Sequence, residues 1–181
     1  MVAIIDYNVG NVKSVLNACK RIGLEAEIRK DIGDAKAIIL PGVGSFSTAM
    51  RNLGGRAMEI KEFAKPILGI CLGMQILFEY STEGSETKGL GLLTGKVALI
   101  PTKEKLPHMG WNTLSETKKD VYFVHSYMAQ YTSETAEHVE YGGVKIPAIV
   151  KKGRIMGCQF HPEKSGKVGE EILMRWARYC I

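Results

Sequence analysis

Residues 66–75 read Pro66-Ile67-Leu68-Gly69-Ile70-Cys71-Leu72-Gly73-Met74-Gln75. Positions 67–70 are apolar without polar alternation, the mark of a strand covered by helices on both faces. The run then breaks at a tight turn and resumes as a helix, expected to continue through Tyr80. In a turn of the form glycine-x-nucleophile-x-glycine, the glycines let strand and helix approach closely, while the central residue is held in a strained conformation. Gly69 and Gly73 fill the glycine places and Cys71 the centre. A helix starting there would favour a thiolate at Cys71. The Leu72 N–H would face the oxyanion that forms when that thiolate attacks a carbonyl.

Working outward, short β-type runs at 2–6, 25–28 and 37–40 surround a helical pattern at 12–22. Strands alternating with helices predict a parallel α/β sheet, with 37–40 and 67–70 as central strands. After Gly95 the texture changes to β-like runs separated by turns such as Tyr141-Gly142-Gly143-Val144 and Lys152-Gly153. That half predicts an antiparallel extension. A closing helix over 167–179 places Val168, Ile172, Leu173, Trp176 and Tyr179 on one core-facing stripe. The expectation is an open, mostly parallel sheet flanked by helices, in a single domain spanning 1–181.

With 181 residues, 45% apolar, the chain can bury one substantial core. Its net charge of +5 comes from scattered groups such as Lys103/Lys105 and Lys118/Lys119. These lack interleaved aromatics, so an acidic protein partner is favoured over nucleic acid. The four cysteines, Cys19, Cys71, Cys158 and Cys180, contain no C-x-x-C pair, which speaks against a disulfide framework or a zinc knuckle. Without a leader or an apolar run of about 20 residues, a cytoplasmic protein with no membrane association is expected.

A cysteine nucleophile needs a base and a group that orients it. Among the four histidines, His161 lies in Gly157-Cys158-Gln159-Phe160-His161-Pro162-Glu163. Proline drives the preceding residue to an extended conformation, placing His161 at the carboxyl end of a strand, where open α/β sheets carry their sites. Glu163 is close enough to accept its imidazole N–H. Cys158 and His161 have an odd offset and would point to opposite faces, against a shared metal.

Together, Leu40-Pro41-Gly42-Val43-Gly44, Gly69-Ile70-Cys71-Leu72-Gly73-Met74-Gln75 and Phe160-His161-Pro162-Glu163 resemble the triad-type, class I glutamine amidotransferases, over nearly the whole chain. Val9-Gly10-Asn11, Leu106-Pro107-His108-Met109-Gly110-Trp111-Asn112 and Phe123-Val124-His125-Ser126-Tyr127 further resemble one branch, the glutaminase subunits of imidazole glycerol phosphate synthases. The resemblance implies a flavodoxin-like fold, no cofactor and no metal. It makes Cys71 the nucleophile, His161 the general base and acid, and Glu163 the orienting carboxylate. Gly44 would lie against L-glutamine, with its neighbouring backbone and Leu72 as oxyanion donors. Gln75 and Glu83 would hold the amino-acid end, and Ser126 and Tyr127 would hold the other end through backbone groups. Met109 and Trp111 would face the partner. Where the family often has glycine, this chain has Asn8, a residue that tolerates left-handed backbone.

The implied reaction is hydrolysis of glutamine to glutamate through a thioester at Cys71. The ammonia would pass to a (β/α)-barrel cyclase subunit, in a heterodimer that forms imidazole glycerol phosphate and AICAR for histidine biosynthesis. The rivals are a glutaminase serving another synthase, a silent regulatory module and a cysteine peptidase.

Overall fold

The computed structural model describes residues 1–179. The first half runs β1 (Val2–Ile5), α1 (Val12–Arg21), β2 (Ala26–Arg29), β3 (Ala37–Leu40), α2 (Phe46–Leu53), α3 (Arg56–Glu62), β4 (Ile67–Ile70) and α4 (Leu72–Gln75). α1 begins where Asn11 accepts the Ser14 N–H with its side chain, and Lys20 and Arg21 occupy its last turn, favourable to the negative end of the helix dipole. Its stripe of Val15, Ala18 and Cys19 is buried. β1, β3 and β4 are buried on both faces, as uninterrupted apolar runs require.

The second half runs β5 (Tyr80–Ser81), β6 (Thr87–Lys88), β7 (Lys96–Leu99), β8 (His108–Thr113), β9 (Asp120–His125), β10 (Tyr127–Ala129), β11 (Thr135–Tyr141), β12 (Val144–Lys152) and β13 (Ile155–Cys158). A 3₁₀ turn (Pro162–Lys164) and α5 (Gly166–Ala177) follow. The main sheet has the order β11-β12-β13-β4-β3-β1-β2. Its strands are parallel from β2 to β13, with β12 and β11 added antiparallel. The antiparallel extension expected from the sequence is there, supplemented by the sheet β10-β7-β5-β6 and the pair β8-β9.

Strand alternation divides the core in two. Val2, Ile4 and Ile39 pack with α1 and α5 on one face, and Ala3, Ile5, Ile38 and Leu40 pack with α2, α3 and α4 on the other. Among the described residues no helix is long and apolar enough to cross a membrane.

Two expectations are corrected. The helix after Cys71 ends at Gln75, not Tyr80, because the backbone beyond it bonds elsewhere. The carbonyls of Ile76, Leu77 and Phe78 accept N–H groups from Leu90, Leu92, Leu93 and Gly91. That burial of Ile76, Leu77 and Phe78 replaces further helical turns. Tyr179 lies beyond the end of α5 and is exposed, whereas Ile172, Leu173 and Trp176 are buried as expected. Cys180 lies outside the described residues.

Candidate active site

The ends of three adjacent strands converge at the carboxyl edge of the main sheet. The loop 41–45 follows β3, Cys71 follows β4, and His161 follows β13. Cys71 takes φ 52° and ψ −109°, left-handed backbone for a residue bearing a Cβ. Its N–H donates to Cys158 O at 2.7 Å, tying the turn to the neighbouring strand. A Cβ on Gly69 would lie 2.5 Å from Gly73 O and 2.6 Å from Met74 N. One on Gly73 would run into Leu40 O. Glycine at both positions is what allows the turn to sit between two strands. Since α4 is a single turn, any anion-favouring field at Cys71 comes from its first few N–H groups, not from a long helix dipole.

His161 is 2% exposed and extended, at φ −100° and ψ 97°. Its N–H donates to Tyr122 O at 2.9 Å, and its carbonyl accepts from Ser165 Oγ at 2.7 Å. Backbone anchored on both sides leaves little freedom to the ring. Nδ1 donates to Glu163 Oε1 at 2.8 Å, which puts Nε2 on the opposite side as the atom that can exchange a proton. Burial disfavours the imidazolium, but the thiol of Cys71 and the carboxylate of Glu163 outweigh it and raise His161 to about 9. Nε2 meets no well-formed hydrogen-bond partner among the described residues, so the Cys71 sulfur bears on the ring through closeness and charge.

Cys71 opens into a cavity of about 230 Å³. Gly44, Leu72, Gln75, Glu83, Ser126 and Tyr127, each singled out from sequence, all line it. Gln75 is buried, its Nε2 donating to Tyr127 O at 2.9 Å and to Gln159 Oε1 at 3.0 Å. Glu83 Oε2 accepts the Phe46 N–H at 2.7 Å, at the start of α2, so one carboxylate oxygen is already committed. Ser126 O is likewise occupied, by the Ile100 N–H. In the antiparallel pair β10-β7, bonds at Ile100–Ser126 and Gln130–Lys96 bracket Tyr127. Alternation therefore turns the backbone of Tyr127 away from β7 and toward Gln75. A larger depression of about 400 Å³, lined by residues such as Asn112, Lys118 and His138, contains no thiol.

His161 and Glu163 border a narrower cleft beside the cavity, together with Asn11 and Pro41. Sequence reasoning missed several neighbours. Gln159 is fully buried with Nε2 3.7 Å from Cys71 Sγ; sharing strand parity with His161 was the signal that could have found it. Tyr7 donates its hydroxyl to Pro41 O. Burial, then the nearby Cys71, push its phenol far above the usual range. His125 and Val43 also line the cavity. Asn8 takes φ 60°, as its tolerance of left-handed backbone allows, and its N–H donates to Asp6 Oδ1 at 3.0 Å. Met109 and Trp111 are 65% and 60% exposed on one face of β8 and are not core residues. Among the described residues no cluster of three His, Cys, Asp or Glu side chains could hold a metal ion.

The family model for class-I glutamine amidotransferases matches residues 3–178. This chain belongs to that family. Among curated relatives of the amidotransferase is the imidazole glycerol phosphate synthase subunit HisH of Lactococcus lactis, 49% identical over 95% of this chain and 95% of that one. HisH of Exiguobacterium sibiricum is 47% identical over 97% and 94%. Among solved structures, a glutamine amidotransferase superposes with a TM-score of 0.79 at 19% identity, covering 99% of this chain and 98% of that one. PurLQS from Thermotoga maritima gives 0.74 at 20%, covering 99% and 98%. At those identities the structures speak for the fold alone.

Proposed function

We propose that this amidotransferase hydrolyses L-glutamine at Cys71 and delivers the ammonia to the cyclase subunit of imidazole glycerol phosphate synthase, in histidine biosynthesis. The observation that carries the reading is a buried cysteine, on strained left-handed backbone, opening into a cavity of about 230 Å³ beside a histidine held by a carboxylate. That volume suits one amino acid better than a peptide.

In this reading the Cys71 thiolate attacks the carboxamide carbon and backbone N–H groups, including that of Leu72, hold the oxyanion. The C–N bond breaks as His161 Nε2 protonates the leaving ammonia. His161 then takes a proton from water, whose oxygen attacks the thioester and releases glutamate and the thiol. Glu163 keeps the proton of the imidazole on Nδ1. The free oxygen of Glu83 accepts from the substrate ammonium, while loop N–H groups serve the carboxylate.

The names of the Lactococcus and Exiguobacterium relatives support the choice of synthase. An exposed Met109 and Trp111 on one strand face, and a net charge of +5, fit docking onto an acidic barrel subunit. The test is to co-purify the chain with the cyclase of its own organism and to measure glutamate release with and without it. Complex formation with stimulated release supports the reading, and Trp111→Ala weakens the complex more than the thiol chemistry. No binding and no stimulation would assign the chain to a different synthase.

A further inference from the structure

Resting on the reading that the cavity binds glutamine, we infer that His125 and His108 are positioning residues of that cavity. They form one oriented hydrogen-bond relay that fixes the Tyr127 carbonyl and, through it, Gln75 and Gln159 against Cys71.

The direction of every bond follows from its ends. Tyr127 O can only accept, so the proton of His125 sits on Nδ1, 2.8 Å away. Burial pushes both imidazoles down to about 4, so each is neutral near pH 7 and carries a single proton. His125 Nε2 is then an acceptor, filled by His108 Nδ1–H at 3.1 Å. His108 Nε2 in turn accepts from Asn112 Nδ2 at 3.2 Å, whose second hydrogen goes to Glu140 O at 3.0 Å. Beyond the histidines, Tyr127 O also accepts from Gln75 Nε2, which spends its other hydrogen on Gln159 Oε1. Gln159 Nε2 reaches the sulfur of Cys71. Each link uses one donor and one acceptor, so no member can reverse without leaving a buried polar atom unpaired.

Packing holds the relay at its far end. The His108 ring is stacked between Phe123 at 4.8 Å and Tyr141 at 4.3 Å. On β8 the inward positions His108 and Asn112 alternate with the exposed Met109 and Trp111. One strand therefore carries the relay on one side and the candidate docking face on the other. A pair of buried histidines with only a packing role would not need to end on a carbonyl of the cavity wall, and apolar residues of equal volume would fill the space without polar groups to satisfy.

The probe is 6-diazo-5-oxo-L-norleucine, a glutamine-mimicking electrophile, with labelling of the full chain followed by mass spectrometry. Its half-saturating concentration and maximal labelling rate are read separately. His108 does not line the cavity, and His108→Phe keeps a ring in the stack while removing the donor to His125. It raises the half-saturating concentration about tenfold or more with the maximal rate within about threefold, the loss expected for one buried bond left unmade. His125→Phe, at the cavity wall itself, raises the half-saturating concentration at least as much, and His125→Asn, which can present an N–H near the Nδ1 position, recovers part of the loss. Nitrogen-15 spectra of the wild-type chain show His125 protonated at Nδ1 alone. Wild-type half-saturation in both phenylalanine variants, or a His125 proton on Nε2, overturns the inference. Wild-type protein that is not labelled at Cys71 at all would instead overturn the glutaminase reading beneath it.

Discussion

Substituting Gly69→Ala perturbs the turn beneath the thiol without touching a polar group. The added Cβ would sit 2.5 Å from Gly73 O and 2.6 Å from both Met74 N and Met74 Cα, all backbone atoms, where real Cβ contacts essentially never fall below 3.0 Å. β4 and α4 must therefore separate by roughly half an ångström, two residues from Cys71. Overpacking of that kind costs about 1–3 kcal/mol, offset in small part by the lower entropy of alanine in the unfolded chain. For a chain of this size the expected fall in Tm is about 3–10 °C. Misplacing a reacting group by about 1 Å can cost about a hundredfold, so a half-ångström shift at Cys71 is expected to slow alkylation about tenfold. Calorimetry and the labelling rate with a glutamine analogue measure the two effects. Gly55→Ala is the control, since nothing lies within 4 Å of its added Cβ. Wild-type Tm and wild-type labelling in Gly69→Ala would refute the close approach on which the turn depends.

Glu163→Gln removes the charge that helps hold His161 at about 9. The alkaline limb of the pH–rate profile, where the imidazolium needed by the leaving ammonia is lost, then moves down by about a pH unit or more. Because that pKa is raised, the stability His161 contributes is complete below about 6.5 and is lost as pH rises through about 9. Denaturant titrations of Glu163→Gln across that window should show a flatter loss. Glu83→Gln keeps an acceptor for the Phe46 N–H but removes the charge proposed to face the substrate ammonium, so half-saturation by glutamine should rise about tenfold with little change in maximal rate. His108 and His125 have lowered values, so the stability they carry is present above about 6.5 and is lost as pH falls toward about 4. Urea midpoints in His108→Phe should accordingly be less acid-sensitive.

What could be read in advance was what depends on neighbours in sequence. Gly69, Cys71 and Gly73 lie within five residues, and their offsets alone describe a turn that only glycine can flank. His161, Pro162 and Glu163 are as local, and the hydrogen bond at 2.8 Å is between residues two apart. The length of α4 was not legible, because it is decided by N–H groups at 90–93 that take the carbonyls of Ile76, Leu77 and Phe78. Nor was the Phe46 N–H that occupies Glu83, 37 residues away. The pairing of His108 with His125 is not legible from local sequence, since it requires the β8-β9 register that sets them opposite each other. Gln159 shares strand parity with His161, but its reach to the Cys71 sulfur depends on β13 lying beside β4, a pairing of segments far apart in sequence.

The central claim is a covalent glutamyl thioester on Cys71. Rapid acid quench of the chain with the proposed cyclase partner and saturating glutamine, followed by peptide mass spectrometry, tests it most directly. The account predicts a γ-glutamyl group on the peptide containing Cys71, strongly reduced in His161→Ala, where the leaving ammonia has no proton donor, and absent in Cys71→Ala. Glutamate release that continues in Cys71→Ala, or an adduct on any other residue, would contradict it.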